Sequence, residues 1–465
     1  MNTSAQAKAT RREWIGLGAI ALPCMLYSMD LTVLNLALPA LAAELEPSAL
    51  ELLWIVDIYG FLVAGALITM GALGDRIGRR RLLMIGAGVF GIASIVAAFS
   101  TSPAMLIATR AALGIAGATL APSTFSLIRN MFHDPHERTV AISVWITSYS
   151  AGAAIGPLLG GALLQYFWWG SVFLLAVPVM MLLLVLGPAL LPEYRDPSAG
   201  RIDLASAALS LVAVLALVFG LKHSAQHGFS TLSVLAILIG TGLTAAFVRR
   251  QLRLADPLID LRLFRAPAFS TSLIVYMLGT FVAFGVFVFM TQYLLLVLEM
   301  APLEAGLWTV PFALGFIAGS MVAPRLARAL RPADVMAGGL TVAALGFLLI
   351  TQAGRVDGPG LVVAGMVLQS IGIAPVFTLT NDLIMSAAPP ERAGAASGIS
   401  ETSSELGGAL GIALFGSLAT AVYGAALDPS TVARALELSA AVSTVLVLGM
   451  AAAVVSLLRR AKAAA

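Results

Sequence analysis

Ser28-Met29-Asp30-Leu31-Thr32-Val33-Leu34-Asn35-Leu36-Ala37-Leu38-Pro39 sets a single carboxylate inside a run that is apolar from Trp14 to Leu41 and holds no other acid or base. A charge at bilayer depth costs about 2.5–3.5 kcal/mol on insertion scales, so an acid kept there has a task. Asp30 is therefore the first functional candidate, and the long run around it is the first candidate for a membrane span.

The rest of the chain supplies the same solvent. Its 465 residues are 59% hydrophobic and only 11% charged, with a mean hydropathy of +0.96. A soluble protein keeps about 25% of its residues charged to face water, so this chain is read as a polytopic, all-α membrane protein. Cys24 is the only cysteine, which excludes an internal disulfide and a cysteine metal site. Lys8, Lys222 and Lys462 are the only lysines, and none follows a Gly-rich turn. A phosphate-cradling Walker loop is thereby excluded, and with it ATP as a fuel bound on this chain. Lys8, Arg11 and Arg12 precede an apolar run too long for a signal peptide and without a small-residue cleavage site. The start is read as an uncleaved signal-anchor.

A span takes about 20 apolar residues. By that measure the sequence predicts fourteen, near 14–39, 52–73, 82–100, 104–128, 140–164, 171–191, 204–221, 231–248, 268–298, 305–323, 334–353, 360–383, 397–423 and 438–458. Charge tests the count. Of 27 Lys and Arg, only Lys222, Arg355 and Arg434 fall in predicted outer loops and Arg110 within a span, while all the others fall on the inner side. Such a bias places both termini in the cytoplasm of a cell-membrane protein. The connections Pro192–Asp203 and Arg249–Arg265 bracket two spans poor in polar residues. The expected organisation is a six-helix bundle over 1–191, a linker with two additional helices over 192–267, and a second bundle over 268–465, as in many secondary transporters. No loop is long enough for an enzyme domain.

After the second predicted span the chain reads Gly71-Ala72-Leu73-Gly74-Asp75-Arg76-Ile77-Gly78-Arg79-Arg80-Arg81. As a loop, its glycines allow tight reversal and close helix approach, and Asp75 can pair with Arg76 or with a neighbouring helix end. This spacing of Gly, Asp and Arg is similar to the signature of the major facilitator superfamily. More narrowly, the chain resembles that superfamily's fourteen-span drug:proton antiporters, the group containing the quaternary-ammonium efflux pumps. Asp30, Thr32, Val33, Asn35, Ala37, Leu38 and Pro39 resemble the group's first-span motif, with Leu36 where valine is commoner. Arg110 with Gly114 and Gly117 resembles the fourth-span motif, with Leu113 in place of glutamine. Gly152, Gly156, Pro157, Gly160 and Gly161 resemble the antiporter motif, with Ser143 where a leading glycine is usual. Gly319–Arg328 stands where the loop motif repeats, but it has no acid.

The resemblance implies an alternating-access transporter, not an enzyme, and gives these residues roles. Arg110 either binds backbone carbonyls as a fixed structural charge or biases a nearby carboxylate and relays proton coupling. Gly156 and Pro157 pack helices and set a kink at the boundary between access states. Acids at Asp30, Asp57, Glu401 and Glu405 are those thought to hold protons and cationic drugs. From the residues alone, Glu401 and Glu405 are four apart and share a helical face, and Asp382 reads as interfacial. A carboxylate removed from water binds its proton more tightly and releases it when solvated or paired with a cation. One such site can alternate between a proton and a lipophilic cation. Aromatic faces supply further affinity for flat cations. Tyr27, Trp54, Tyr59, Trp145, Tyr149, Trp308, Phe281, Phe284, Phe287 and Phe289 are candidates, with Met290, Met300 and Met321 as adaptable surface. His223 and His227 suggest a metal pair or, more simply, two exposed histidines.

The expected function is proton-coupled efflux of lipophilic cations such as quaternary ammonium biocides and dyes. Asp30, Glu405 and Arg110 are expected to couple protons. Asp57, Glu401, Glu405, Tyr27, Trp54, Tyr59, Tyr149 and Phe284 are expected to bind substrate. Gly71, Asp75, Arg76, Gly78, Arg79, Gly156 and Pro157 are expected to gate. The expected partners are lipophilic cations, protons and the bilayer. A monomer is expected, with no cofactor, metal or nucleic acid. An exporter of a specific metabolite or amino acid on the same fold is the alternative, and a non-transporting membrane sensor is a second. Asp30 lies about sixteen residues into its helix, roughly 24 Å along it, at or beyond the midplane on the outer side. Glu405 is then the acid that meets cytoplasmic cargo.

Overall fold

Helix starts are written in capping residues. Thr10 and Glu13, and again Ser48 and Glu51, form capping boxes, in which hydroxyl and carboxylate each satisfy an orphan backbone N–H. Ser102 before Pro103 and Asp134 before Pro135 cap two more helices, with proline at the first position, where its missing donor costs nothing. The computed structural model describes residues 8–195, 203–228, 230–254, 257–300, 302–355, 358–423 and 429–463. Among these it contains sixteen α-helices and no strand. In chain order they are α1 (Arg11–Leu45), α2 (Ala49–Ile77), α3 (Arg79–Ala98), α4 (Pro103–Gly117), α5 (Leu120–Met131), α6 (Pro135–Tyr166), α7 (Ser171–Leu174) and α8 (Ala176–Leu190). There follow α9 (Leu204–His227), α10 (Thr231–Gln251), α11 (Pro267–Gln292), α12 (Pro302–Ala329), α13 (Pro332–Ile350), α14 (Gly360–Ala387), α15 (Ala393–Tyr423) and α16 (Pro429–Ala463).

Twelve helical segments among the described residues are long and apolar enough to cross a membrane, against the fourteen expected. Two helices of spanning length stand outside that set: α1, with Asp30, and α15, with Glu401 and Glu405. Both include stretches whose side chains lie outside the described residues.

The chain divides into two compact units. The first takes Met1–Leu215, Leu243–Leu261 and Ala388–Thr402. In it α1 packs on α6, α2 on α4, and α3 on α4 and α8. The glycine stripe of α6 makes the first of these contacts close: a Cβ at Gly152 would meet the Met25 carbonyl, and one at Gly160 would lie 2.7 Å from Val33. Ser28 donates its hydroxyl to the Tyr149 carbonyl across the same seam at 2.6 Å. Cys24 is buried there, its sulfur 3.7 Å from the Trp145 carbonyl. Trp145 itself stacks on Phe125 at 4.1 Å and donates to the Thr124 hydroxyl at 3.0 Å.

The second unit takes Ala216–Gly242, Arg262–Ala387 and Ser403–Ala465. In it α13 packs on α14 and α16, and α14 on α11 and α12. Phe287, Phe312, Phe316, Phe377 and Tyr276 form a continuous line of ring contacts with centroids 5.2–6.4 Å apart.

The stretch from Gly71 to Arg81 is not the loop that its glycines suggest. Helix α2 runs through Asp75 and Arg76 to Ile77, and Gly78 alone separates it from α3. Gly78 has φ +110°, and a Cβ on it would lie 2.6 Å from a Glu193 carboxylate oxygen. Glycine is thus required there by both backbone and space. Gly78→Ala is expected to destabilise the protein by about 1–2 kcal/mol, read as a lower melting temperature in detergent. Gly88→Ala, where a Cβ meets nothing within 4 Å, is the helix-interior control and should be neutral or stabilising.

Candidate functional site

Arg110 of α4 is 1% exposed and uses its guanidinium three ways. Its Nη1 lies 2.6 Å from Asp30 Oδ2 on α1. Its Nε donates to the Ile55 carbonyl of α2 at 3.1 Å. Its central carbon stands 4.7 Å from the centroid of the Tyr59 ring. Arg110 thus binds a backbone carbonyl and also pairs with an acid. The glycines after it bring α4 close enough to do so. A Cβ at Gly114 would lie 2.7 Å from the Tyr59 carbonyl, and one at Gly117 3.2 Å from the Tyr59 hydroxyl.

Asp30 keeps some access, with 15% of its side chain exposed against 2% for Arg110. Beside it opens a cavity of about 20 Å³ lined by Met29, Val33, Phe90, Phe173 and Ala176. That is room for one water. The α7–α8 interruption at Leu175 also borders the cavity. The Tyr59 face and the Ile55 carbonyl share the arginine charge with Asp30. Aromatic contacts extend outward from the pair: Tyr27 lies 6.2 Å from Tyr59 and 6.0 Å from Tyr149, centroid to centroid. Tyr59 is fully buried, whereas Tyr27 and Tyr149 are half-buried.

Asp57 and Trp54 are half-buried on α2, and Trp54 packs on Phe61 at 6.3 Å. Glu401 lies in the first unit, and Glu405, one turn along α15, in the second; both are half-buried. Phe284, also in the second unit, is 44% exposed and lies against Gly408. Gly156 is buried in α6. The side chains of Thr32, Asn35, Pro157 and His227 lie outside the described residues. His223 sits 3.3 Å from the Ser230 hydroxyl, and no group able to hold a metal occurs among the described residues.

A second cluster gathers at the far end of α2. Asp75 is paired with Arg79, one turn on, and not with Arg76: Nε and Nη2 of Arg79 both lie 2.9 Å from Oδ1. Arg76 instead donates to the Ala72 carbonyl at 3.3 Å. The two Asp75 oxygens also accept the backbone N–H groups of Gly394 and Ala395, at 3.0 and 2.9 Å, at the start of α15. A carboxylate at a helix N-terminus satisfies orphan donors and complements the dipole, so the neighbouring helix end is the partner that Asp75 finds. Arg79 is wholly buried. It donates to the Pro390 carbonyl at 2.5 Å and lies 5.0 Å from the Tyr194 ring centroid. Arg129 donates to the Ala388 carbonyl at 2.9 Å. Gly71 and Gly394 touch through their backbones, and a Cβ at Gly394 would lie 2.5 Å from Asp75 Oδ1.

Sequence reasoning missed Glu193. Its carboxylate accepts the backbone N–H groups of Arg80 and Arg81, both at 3.1 Å, and so caps α3. An acid followed by aromatic and basic residues after an apolar run was the only signal.

Apolar helices of spanning length with a charge pair among them are those of a multi-pass membrane protein. The chain belongs to the Major Facilitator Superfamily, whose family profile matches residues 20–412. It is 42% identical over 426 residues to the multidrug efflux pump LfrA of Mycolicibacterium smegmatis, covering 92% of this chain and 84% of that one. It is 37% identical over 440 residues to the methyl viologen resistance protein SmvA of Salmonella typhimurium, covering 93% and 88%. Among solved structures, the human organic anion transporter MFSD10 shares the fold with a TM-score of 0.70 at 18% identity, covering 94% of this chain and 99% of that one.

Proposed function

We propose that the protein is a proton-coupled drug exporter of the cell membrane, moving lipophilic cations outward by alternating access. The observation that carries this reading is the Asp30–Arg110 pair, buried at 2.6 Å beside a water-sized cavity. A fixed cation next to an acid that water can reach is the arrangement a proton carrier needs. Relatives named as a multidrug efflux pump and a methyl viologen resistance protein support the substrate class; methyl viologen is itself a flat aromatic dication. Tyr27 and Tyr149 offer ring faces beside the pair; Asp57, Trp54 and Glu401 of the first unit, and Glu405 and Phe284 of the second, are the further residues proposed to meet substrate.

In this reading α1 and α15 join the twelve apolar segments to make fourteen spans. The proposed six-helix bundles 1–191 and 268–465 precede and follow the α9–α10 pair along the chain, with both termini in the cytoplasm and the monomer as the working form. Asp75, Arg79 and the glycines around them act as a gate that holds the start of α15 and lets it go during each cycle. The group is that of the fourteen-span drug:proton antiporters, with quaternary ammonium compounds among the substrates.

Proteoliposomes carrying the protein test this directly. Ethidium added on the cytoplasmic side should be moved against its gradient, with protons moving the other way, and collapse of the pH gradient should stop it. Uphill ethidium movement indifferent to the proton gradient would remove proton coupling. Transport of amino acids in preference to ethidium would favour the metabolite exporter.

A further inference from the structure

The α9–α10 pair ends in a polar clasp that its apolar sequence does not announce. Asp203, just before α9, accepts from the Ala205 N–H at 3.2 Å and the Ser206 hydroxyl at 2.7 Å. It also accepts from Arg250 Nε at 2.6 Å, and these partners hold its carboxyl well below the usual carboxylate range. Next to it, Gln251, 3% exposed, uses both ends of its amide. Nε2 donates to the Ser206 hydroxyl at 2.7 Å. Oε1 accepts the backbone N–H groups of Leu258 and Ile259, at 2.7 and 3.3 Å.

A glutamine that is buried and satisfied on both sides fixes its surroundings, because each lost bond leaves a desolvated donor or acceptor. What Gln251 fixes is the segment Pro257–Ile259, whose Leu258 and Ile259 side chains are themselves buried. Arg392 then donates to the Pro257 carbonyl at 3.4 Å. It belongs to the short stretch, Ala388 to Ala395, that Asp75, Arg79 and Arg129 hold. Helix α9 also packs on α2, the helix that carries Asp75: a Cβ at Gly65 would lie 2.7 Å from Leu211.

We propose that the α9–α10 pair is a working part of the gate: Gln251 is a positioning residue that, through Pro257–Ile259 and Arg392, sets how firmly residues 388–395 are held against α2, α3 and α5. The two additional helices thereby gain a task beyond filling membrane. Only the transport readout rests on the exporter reading; the exchange readout is independent of it.

The test compares Gln251→Leu, which removes the acceptor for 258 and 259, with Gln251→Glu, which keeps it. Full-length proteins in nanodiscs are followed by hydrogen exchange, and in proteoliposomes by ethidium transport. Gln251→Leu is expected to speed amide exchange in 257–261 and in 388–396 by about tenfold, the size of effect two modest hydrogen bonds carry together. It should also change the maximal ethidium rate severalfold with an unchanged apparent KM, while Gln251→Glu, which keeps the acceptor and loses only the donation to Ser206, should shift 388–396 by less than Gln251→Leu does. Ser206→Ala weakens the clasp without touching the acceptor, and should shift both segments in the same direction by less. Faster exchange confined to 257–261 in both Gln251→Leu and Ser206→Ala would overturn the proposal, as would a lost transport rate with 388–396 unchanged. If the wild type fails to move ethidium, the exporter reading fails, and the exchange results decide this one.

Discussion

Asp30→Asn should abolish ethidium-driven proton movement in proteoliposomes, down to the level of protein-free liposomes, while the protein still folds and binds ethidium. Asparagine keeps an oxygen that can accept from Arg110 Nη1, which now lies 2.6 Å from Asp30 Oδ2, but it cannot take up a proton. The Tyr59 face and the Ile55 carbonyl continue to hold the guanidinium. Removing Arg110 is the harsher change. Arg110→Ala leaves Asp30 without its partner, and breaking a buried pair from one side costs about 3–5 kcal/mol. Lower yield and lower melting temperature are therefore expected for Arg110→Ala, and pairing it with Asp30→Asn should recover stability but not coupling. The interaction energy from that double-mutant cycle isolates the pair itself. Coupled transport intact in Asp30→Asn would show that the proton is carried elsewhere, with Glu405 the next acid to test.

Asp75→Ala should loosen the start of α15 from α2 and slow transport. It deletes an acceptor used by the Arg79 guanidinium and by two backbone donors of α15. Hydrogen bonds to a charged group contribute about 1.5–3 kcal/mol each. A net loss of only ~3 kcal/mol moves a two-state equilibrium about 150-fold. The transport rate is expected to fall by more than about tenfold on that scale, with equilibrium ethidium affinity little changed. Glutamate should not rescue, because Gly71 and Gly394 leave no room around the carboxylate for another methylene. Wild-type turnover in Asp75→Ala would mean that the contact is a bystander.

What could be read from the sequence follows the cost of burying charge. Asp30 and Arg110 stand out because nothing else near them in sequence is charged, and the fold brings those two together across 80 positions. Asp75 was legible as an acid that could meet a neighbouring helix end, but which helix end, and which arginine, was not. Local spacing offers Arg76, whereas the structure uses Arg79 and two backbone groups about 320 positions away. Such a contact depends on how helices cross, which no local pattern encodes. The glycines of 71–78 misled in a related way. Gly71 and Gly74 look like breakers, yet inside α2 they are places of close approach, and only Gly78 breaks the helix. Gln251 was invisible because a glutamine among Arg249, Arg250 and Arg253 reads as solvated connection, not as a buried clasp.

Cys24 has a practical consequence. As the only thiol in the chain, buried against the Trp145 carbonyl, it is shielded from water-borne maleimides. The natural protein is therefore close to a cysteine-free background. A fluorophore or spin label on Leu252→Cys or Leu330→Cys, both more than half exposed, should report on its own position with no prior substitution of the native sequence.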